Sequence, residues 1–379
     1  MTVDAEERLD TMALLAAADP ADMLRQVASS AAQVRSAVRA TEDADLDELT
    51  AVGRPRAIVV TGMGGSGVAG DVLAAVCGPG CPVHIHPVHD YQLPAWVGAT
   101  DLVIAVSCSG GTEETIAATT AAMRRGCRLV GVGGEDSPLA MIAQQARAPF
   151  IGVPSAGSPR STLWGLSMPL VVIASRLGLL EAGAEEYESA AAELERISHL
   201  CRPDSESFVN PAKSLALELA GTLPMIWGSS PLAGVAAYRF GTQLSENAKY
   251  PAVTGTLPEA NHNQVVTFDG PFAPGPDGIG GVLGLDEPRE DRPAVPLRLV
   301  LLRDSREHPQ VARRREESAR LADERGIRVT ELAAADGGPL ERLASLVQLI
   351  DYATVYLAVA LGIDPGPIAA IQELKARIA

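Results

Sequence analysis

Several features that would place a 379-residue chain outside the cell, across a membrane or on nucleic acid are missing here. The five cysteines are odd in number, lie in apolar or glycine-rich settings and lack paired metal-ligand spacing, so neither a disulfide framework nor a cysteine metal site is indicated. Reduced, mostly buried thiols are expected instead. Basic residues are outnumbered: 31 Lys and Arg against 47 Asp and Glu give a formal net charge of -16, and that field repels phosphate backbones and anionic membrane surfaces. Nucleic acid and membranes are therefore not expected partners. A small phosphorylated ligand stays possible, because a local nest of backbone N–H groups can hold an anion inside an acidic protein. The segment MTVDAEERLDTMALLAAADP has neither the basic start nor the long apolar core of a signal peptide, so it reads as an acidic amphipathic helix of a cytoplasmic protein. Long apolar runs are also scarce. The most apolar window, Leu163 to Leu180, is broken by Pro169 and carries Arg176, which predicts a buried helix rather than a membrane span.

What is present suffices for two medium-sized cores, with 47% of residues apolar. Residues 1–50 read as two N-terminal helices, the second from Ala21 to Ala40. Over 51–154, strand-like runs (RAIVVT, CPVHIHPV, DLVIAVS, CRLVGV, PFIGVP) alternate with helical ones (VAGDVLAAVCG, TEETIAATTAAMRRG, SPLAMIAQQA). Such alternation predicts a doubly wound parallel sheet, the α/β class. A helical connection is expected over 155–210. The pattern restarts over 211–355 with strands in LPMIWG, PLRLVLL and IRVTEL, a layout weakly similar to the first half, as a duplication would leave it. Gly, Pro and acidic residues crowd 269–296, which reads as a mobile loop within the second half. The chain closes with two helices, the last within 356–379.

The stretch TGMGGSGVAGDVL, after the first strand, matches G-x-G-x-x-G at Gly62, Gly64 and Gly67. A dinucleotide site also needs an acidic residue about twenty positions on, at the end of the next strand. That strand ends HIHPVHD, with Asp90 beyond the window, and no lysine follows the glycines as a Walker loop requires. A single phosphate fits better. SCSGGTEET, at the tip of the next strand but one, brings Ser107, Ser109 and Thr112 to a helix start, where free N–H groups and the dipole attract an anion. In a parallel sheet both turns lie at the carboxyl ends of strands, so Ser66 and these three hydroxyls could surround one phosphate. The plain alternative is that Ser109 or Thr112 caps the helix, with Glu113 and Glu114 suiting its dipole.

With both elements in view, the chain resembles the sugar isomerase (SIS) superfamily, specifically the bifunctional phosphoglucose/phosphomannose isomerases. GMGGSG looks like that family's first phosphate loop, and SCSGGTEET is similar to its S-Y-S-G-N-T-E-E-T signature. PR at Pro159 and Arg160, ENAK at Glu246 to Lys249, PEANHNQ at Pro258 to Gln264 and I-x-x-L-K at Ile371 to Lys375 follow in order. The resemblance implies two tandem SIS domains, each a doubly wound parallel sheet flanked by helices, with extra N- and C-terminal helices. It implies phosphate or substrate binding by Gly64, Gly65, Ser66, Ser107, Ser109 and Thr112. It further implies Glu246 as the base between C1 and C2, His262 in ring opening, Arg160 against the cis-enediolate and Lys375 near the ring oxygen. The implied assembly is a homodimer acting on a phosphorylated hexose, the histidine reaching in from the neighbour, with no metal or redox cofactor.

These residue types suit aldose–ketose isomerisation, which needs a carboxylate against an activated C–H and a cation facing the developing oxyanion. Histidine can give and take a proton near neutral pH. Taken singly, Glu246 and Lys249 could be an (i, i+3) surface pair and His262 could serve only to turn a loop. At the level of the whole chain, a phosphosugar-binding protein without turnover, or an isomerase of another phosphosugar in a sugar-nucleotide pathway, are the alternatives. Cys108 stands where the family has Tyr, Gly111 where it has Asn, Gln264 where Glu often follows, and Ile368 where some members carry Thr. His84, His86 and His89 mimic a zinc cluster but have no well-spaced fourth ligand, so structural histidines are expected.

Overall fold

The computed structural model describes residues 4–154, 157–273 and 295–378. Most of the loop expected over 269–296 thus lies outside the described residues. The chain forms two compact units, one from the described parts of Ala28–Glu195 with Gly338–Glu341, the other from those of Met1–Val27, Arg196–Gly337 and Arg342–Ala379.

The first of these units holds strands β1 (Ala57–Thr61), β2 (His84–Val88), β3 (Leu102–Ser107), β4 (Arg128–Gly133) and β5 (Phe150–Gly152), all parallel in the order β2-β1-β3-β4-β5. Every residue of β1 and β3 is buried. Their β-branched, uninterrupted apolar sequences are what a sheet covered on both faces requires. The chain winds outward from β1 to β2, then crosses back to β3 on the other side. Strand order therefore reverses between β1 and β3, and the crevice beyond their carboxyl ends is where such sheets bind ligands.

The second unit holds β6 (Leu223–Gly228), β7 (Val253–Thr256), β8 (Leu297–Arg303) and β9 (Arg328–Ala333), parallel in the order β7-β6-β8-β9. Its sheet thus repeats the first with one strand fewer. Strand β7 has no counterpart in the sequence expectations, because Val-Thr-Gly-Thr is short, half exposed and without apolar alternation. Beneath this sheet Trp227 stacks on Phe268 with ring centroids 5.6 Å apart. Lys213 is a second anchor. Its ammonium, 1% exposed, donates to the carbonyls of Leu9, Pro203 and Ser205 at 2.6, 2.9 and 2.7 Å and lies 3.3 Å from the Asp10 carboxylate.

Two helical expectations change. Five pieces, Ala5–Asp10, Met12–Ala18, Met23–Ala28, Ser30–Glu42 and Asp47–Ala51, replace the two N-terminal helices. Thr11 is extended, and the Asp19 carboxylate accepts from the amides of Met23 and Leu24 at 2.8 and 2.9 Å, starting a new helix just past Pro20. The buried helix expected around Pro169 is present as Leu163–Arg176 and runs through the proline, burial of 12 of its 14 residues outweighing the lost backbone bond. The last helix begins only at Ala369, beyond the Asp-Pro-Gly-Pro run. Among the described residues one helix, Pro339–Ala360, is long and apolar enough to cross a membrane, and 94% of its apolar window is buried inside the protein.

Replacing Lys213 with Met would remove the ammonium shared by the Leu9, Pro203 and Ser205 carbonyls and the Asp10 carboxylate. Lys213→Met is expected to cost about 3 kcal/mol of stability, read as a lowered urea midpoint.

Candidate active site

The two glycine–hydroxyl loops meet in the first unit. Gly64 opens the helix Gly64–Cys77 at φ +54°, a left-handed conformation that favours glycine. Ser66 faces the β3 tip, where its Oγ accepts a hydrogen bond from the Cys108 amide at 3.1 Å. Ser107 and Thr112 hydroxyls lie 2.9 Å apart. The Oγ of Ser109, a residue exposed at the rim, accepts from the Gly111 amide at 3.3 Å.

Thr112 is the N-cap of helix Glu113–Arg124, yet no side-chain capping bond forms there, nor at Met63 before Gly64. The capping alternative is therefore not realised. Two helix N-termini without side-chain caps open on the switch point, and their first-turn N–H groups carry the positive end of each dipole. Arg160, 4% exposed, sits beside this turn: a side chain at Gly65 would bring its Cβ to 3.5 Å from the Arg160 Cα and 3.2 Å from the Pro159 oxygen. The Arg160 guanidinium donates from Nη1 to Ser158 Oγ at 2.9 Å. The first unit thus brings together Ser66, Ser107, Thr112 and Arg160, with Ser109 at the edge.

The sequence departures have structural counterparts. Cys108 is buried beside Thr162, and burial pushes its thiol pKa up. Gly111 faces open space, with no atom within 4 Å of the place a Cβ would occupy. Of the three histidines in HIHPVHD, His84 and His86 have ring centroids 5.7 Å apart, whereas His89 turns to the glycine loop. Its Nδ1 lies 3.0 Å from the Gly62 carbonyl and its Nε2 3.6 Å from the Asp71 carboxylate. Asp71 is the main cause of a raised His89 pKa, opposed by burial and reinforced by Gly62. Among the described residues no group of three or more His, Cys, Asp or Glu side chains is arranged to hold a metal. His89, a basic side chain packed behind a loop that the sequence presents as free of such groups, was not expected.

The second unit carries Glu246, His262 and Lys375. Glu246 is half-buried in a widened π-turn, Leu244–Ala248, continuing the helix Pro231–Gln243. Lys249 ends that turn at φ +54°. Its ammonium donates to the carbonyls of Glu246, Asn247 and Asp364 at 3.1, 3.1 and 3.0 Å. His262 lies exposed in the helical turn Ala260–Asn263 while its neighbours are tied down. Asn261 Nδ2 donates to Ser318 at 2.7 Å, and Asn263 Nδ2 to Glu259 at 2.9 Å. Gln264 accepts from the Trp227 indole at 2.6 Å and donates to the Thr254 carbonyl at 3.0 Å. This double role needs an amide, because a carboxylate could not donate to Thr254. Lys375 is exposed on the last helix, Ala369–Ile378, which has no buried residue. Ile368 directly precedes that helix.

The equivalent edge of the second sheet is closed by a carboxylate. The Asp304 amide donates to Ser229 Oγ at 2.8 Å, the counterpart of the Cys108–Ser66 bond. Its side chain accepts from Ser230 Oγ at 2.7 Å and pairs with Arg342 at 2.8 Å. Nothing in the sequence pattern distinguished this edge from the first. A signal that was available is the scarcity of lysine. The chain has only three, Lys213, Lys249 and Lys375, and two of them hold converging carbonyls that suit a compact ammonium better than a planar guanidinium.

A doubly wound parallel sheet with hydroxyl-lined, uncapped helix starts at its switch point defines an α/β protein of the SIS class. A solved hypothetical protein from Thermus thermophilus shares this fold with a TM-score of 0.71 at 16% identity, covering 99% of this chain and 93% of that one. Residues 208–378 match the family described as bacterial phospho-glucose isomerase C-terminal SIS domain. The bifunctional phosphoglucose/phosphomannose isomerase of Caldicellulosiruptor bescii is 32% identical over 324 residues, 85% of this chain and 89% of the relative. That of Thermoplasma volcanium is 30% identical over 344 residues, 88% of this chain and 95% of the relative. The chain belongs to the bifunctional phosphoglucose/phosphomannose isomerase family and is an isomerase.

Two measurements probe the cradle. Gly111→Asn, with open space for its side chain, is expected to change stability by less than about 0.5 kcal/mol in thermal melts while adding an amide donor that tightens binding of inorganic phosphate. The His89 pKa is raised on folding, so its contribution to stability is full below the unfolded value of about 6.5 and is lost as pH rises through the folded value. The Tm deficit of His89→Gln is therefore expected to be largest under acidic conditions and to shrink toward alkaline pH; a deficit that grows with pH would contradict this.

Proposed function

We propose that the protein interconverts fructose 6-phosphate with glucose 6-phosphate, mannose 6-phosphate or both, through a cis-enediolate and without a metal ion. The single observation that carries the reading is the cradle of Ser66, Ser107 and Thr112 at two uncapped helix starts, with Arg160 beside it. It offers a phosphate dianion hydroxyls and oriented N–H groups in a chain whose overall charge repels anions.

In this reading the phosphate seats on Ser66, Ser107, Ser109 and Thr112 and on the Gly64–Gly65 backbone. His262, supplied by a second copy of the chain in a homodimer, moves the proton that opens the sugar ring, assisted by Lys375 near the ring oxygen. Glu246 removes the proton from C2 of the aldose. The electron pair left behind forms the C1–C2 double bond as the carbonyl oxygen gains charge, and the Arg160 cation faces that oxyanion. Transfer of the O2 proton to O1 and return of the carbon-bound proton to C1 then yield the ketose, with its carbonyl at C2. Phosphorylated hexoses of this kind are metabolites of the cytoplasm, where the reading places the enzyme. Ile368, at the family's Thr position, bears on the choice between the two aldoses.

Incubation with fructose 6-phosphate in deuterated water, followed by NMR, tests this. Deuterium is expected at the transferred position together with glucose 6-phosphate, mannose 6-phosphate or both, and Glu246→Gln is expected to slow exchange at least about 100-fold. Binding without exchange and without aldose would sink the proposal.

A further inference from the structure

The Glu246 turn is gripped by a polar network in the interior of the second unit. Arg239 and Gln243 on the helix Pro231–Gln243, and Asn247 in the π-turn, follow at four-residue intervals along one side. They meet Asp351 and Thr354 of the helix Pro339–Ala360. Arg239 Nε and Nη2 donate to the two Asp351 carboxylate oxygens at 2.9 and 2.6 Å, and Gln243 Nε2 adds a bond of 3.2 Å. Thr354 Oγ1 donates to the Asp351 carbonyl at 2.9 Å, which leaves its oxygen to accept the Asn247 amide at 3.0 Å. Asn247 and Thr354 are both fully buried.

Apolar residues could hold two helices together at least as well as buried polar ones. What a satisfied network adds is a single register, since sliding or rotating one helix would leave buried groups unpaired, at a cost that apolar contacts do not impose. The last member of this network, Asn247, is the residue next to Glu246. From the solvent side the Lys249 ammonium holds the Glu246 and Asn247 carbonyls together with that of Asp364.

We propose that Asn247 and Thr354 are positioning residues for the Glu246 carboxylate: their buried hydrogen bond sets the rotation of the widened turn, and Lys249 restrains it from outside. The proposal rests on Glu246 as the base. A base acts only within hydrogen-bond reach of the proton it takes, and a displacement of about 1 Å can cost on the order of 100-fold in rate. The phosphate cradle belongs to other elements, so substrate affinity is untouched by a rotated turn.

Thr354→Val keeps the side chain's shape and removes the acceptor, whereas Thr354→Ser keeps the acceptor. Thr354→Val is expected to lower kcat for fructose 6-phosphate, and solvent deuterium exchange with it, by about 10-fold or more while KM stays within about twofold. Thr354→Ser is expected to restore kcat to near the parent. Lys249→Met, a change at an exposed residue, is expected to show the same split in smaller measure, and it decides the matter if Thr354→Val does not fold. An unchanged kcat in Thr354→Val, a Thr354→Ser as impaired as Thr354→Val, or parallel changes in kcat and KM would each overturn the proposal. Glu246→Gln in the same assay separates the two ideas. Retained exchange there removes the base itself, whereas exchange lost in Glu246→Gln but kept in both Thr354→Val and Lys249→Met removes only the positioning role.

Discussion

One hydrogen bond, from the Cys108 amide to the Ser66 hydroxyl, joins the tips of two neighbouring strands at the point where the first sheet reverses its winding. Each tip alone is an ordinary strand-to-helix turn. Joined, they direct two uncapped helix starts and the Ser107–Thr112 hydroxyl pair into one crevice. The glycines serve this meeting: Gly64 supplies the left-handed conformation that starts its helix, and Gly65 lets the backbone of Pro159 and Arg160 come close. The proposed anion site is compatible with a net charge of -16, because oriented backbone dipoles act at contact range while the global field is screened within about a Debye length.

The same architecture occurs twice, and the second copy shows what separates an open edge from a closed one. In both sheets the amide after one strand tip donates to a serine hydroxyl just beyond the tip of the neighbouring strand. In the second sheet an aspartate follows, and its carboxylate takes the serine and arginine donors that an external anion would need. That unit contributes in another way. Its helix Pro231–Gln243 widens into the π-turn bearing Glu246, and a buried arginine–aspartate pair with its attached amides keeps that turn in one register.

Much of the architecture was legible in the residues. Strands β1 to β6, β8 and β9 announce themselves as short apolar runs alternating with helical ones, and the hydroxyls of Ser66, Ser107, Ser109 and Thr112 could be placed at strand ends from that alternation. Strand β7 was not legible, since four residues with a central glycine owe their extended form to pairing with β6. The buried helix around Pro169 was legible, and burial of nearly all its residues carries it through the proline. The break after Asp19 falls at the expected boundary between the two N-terminal helices, whereas the further divisions at Thr11 and Ser29 are not revealed by periodicity. His89 and Lys249 were visible as residues, but not their partners.

By itself, then, the amino-acid sequence determined the class of the fold, the repeat, the anion-seeking loops and the family, because all of these reside in local periodicity and in short motifs read in order along the chain. Tertiary structure alone decided which hydroxyls meet, which of two similar sheet edges stays open and what holds Glu246. Those outcomes depend on bonds between residues far apart in the chain, 42 positions for Ser66 and Cys108 and 107 for Asn247 and Thr354. Such partners become neighbours only when the sheets and helices have packed.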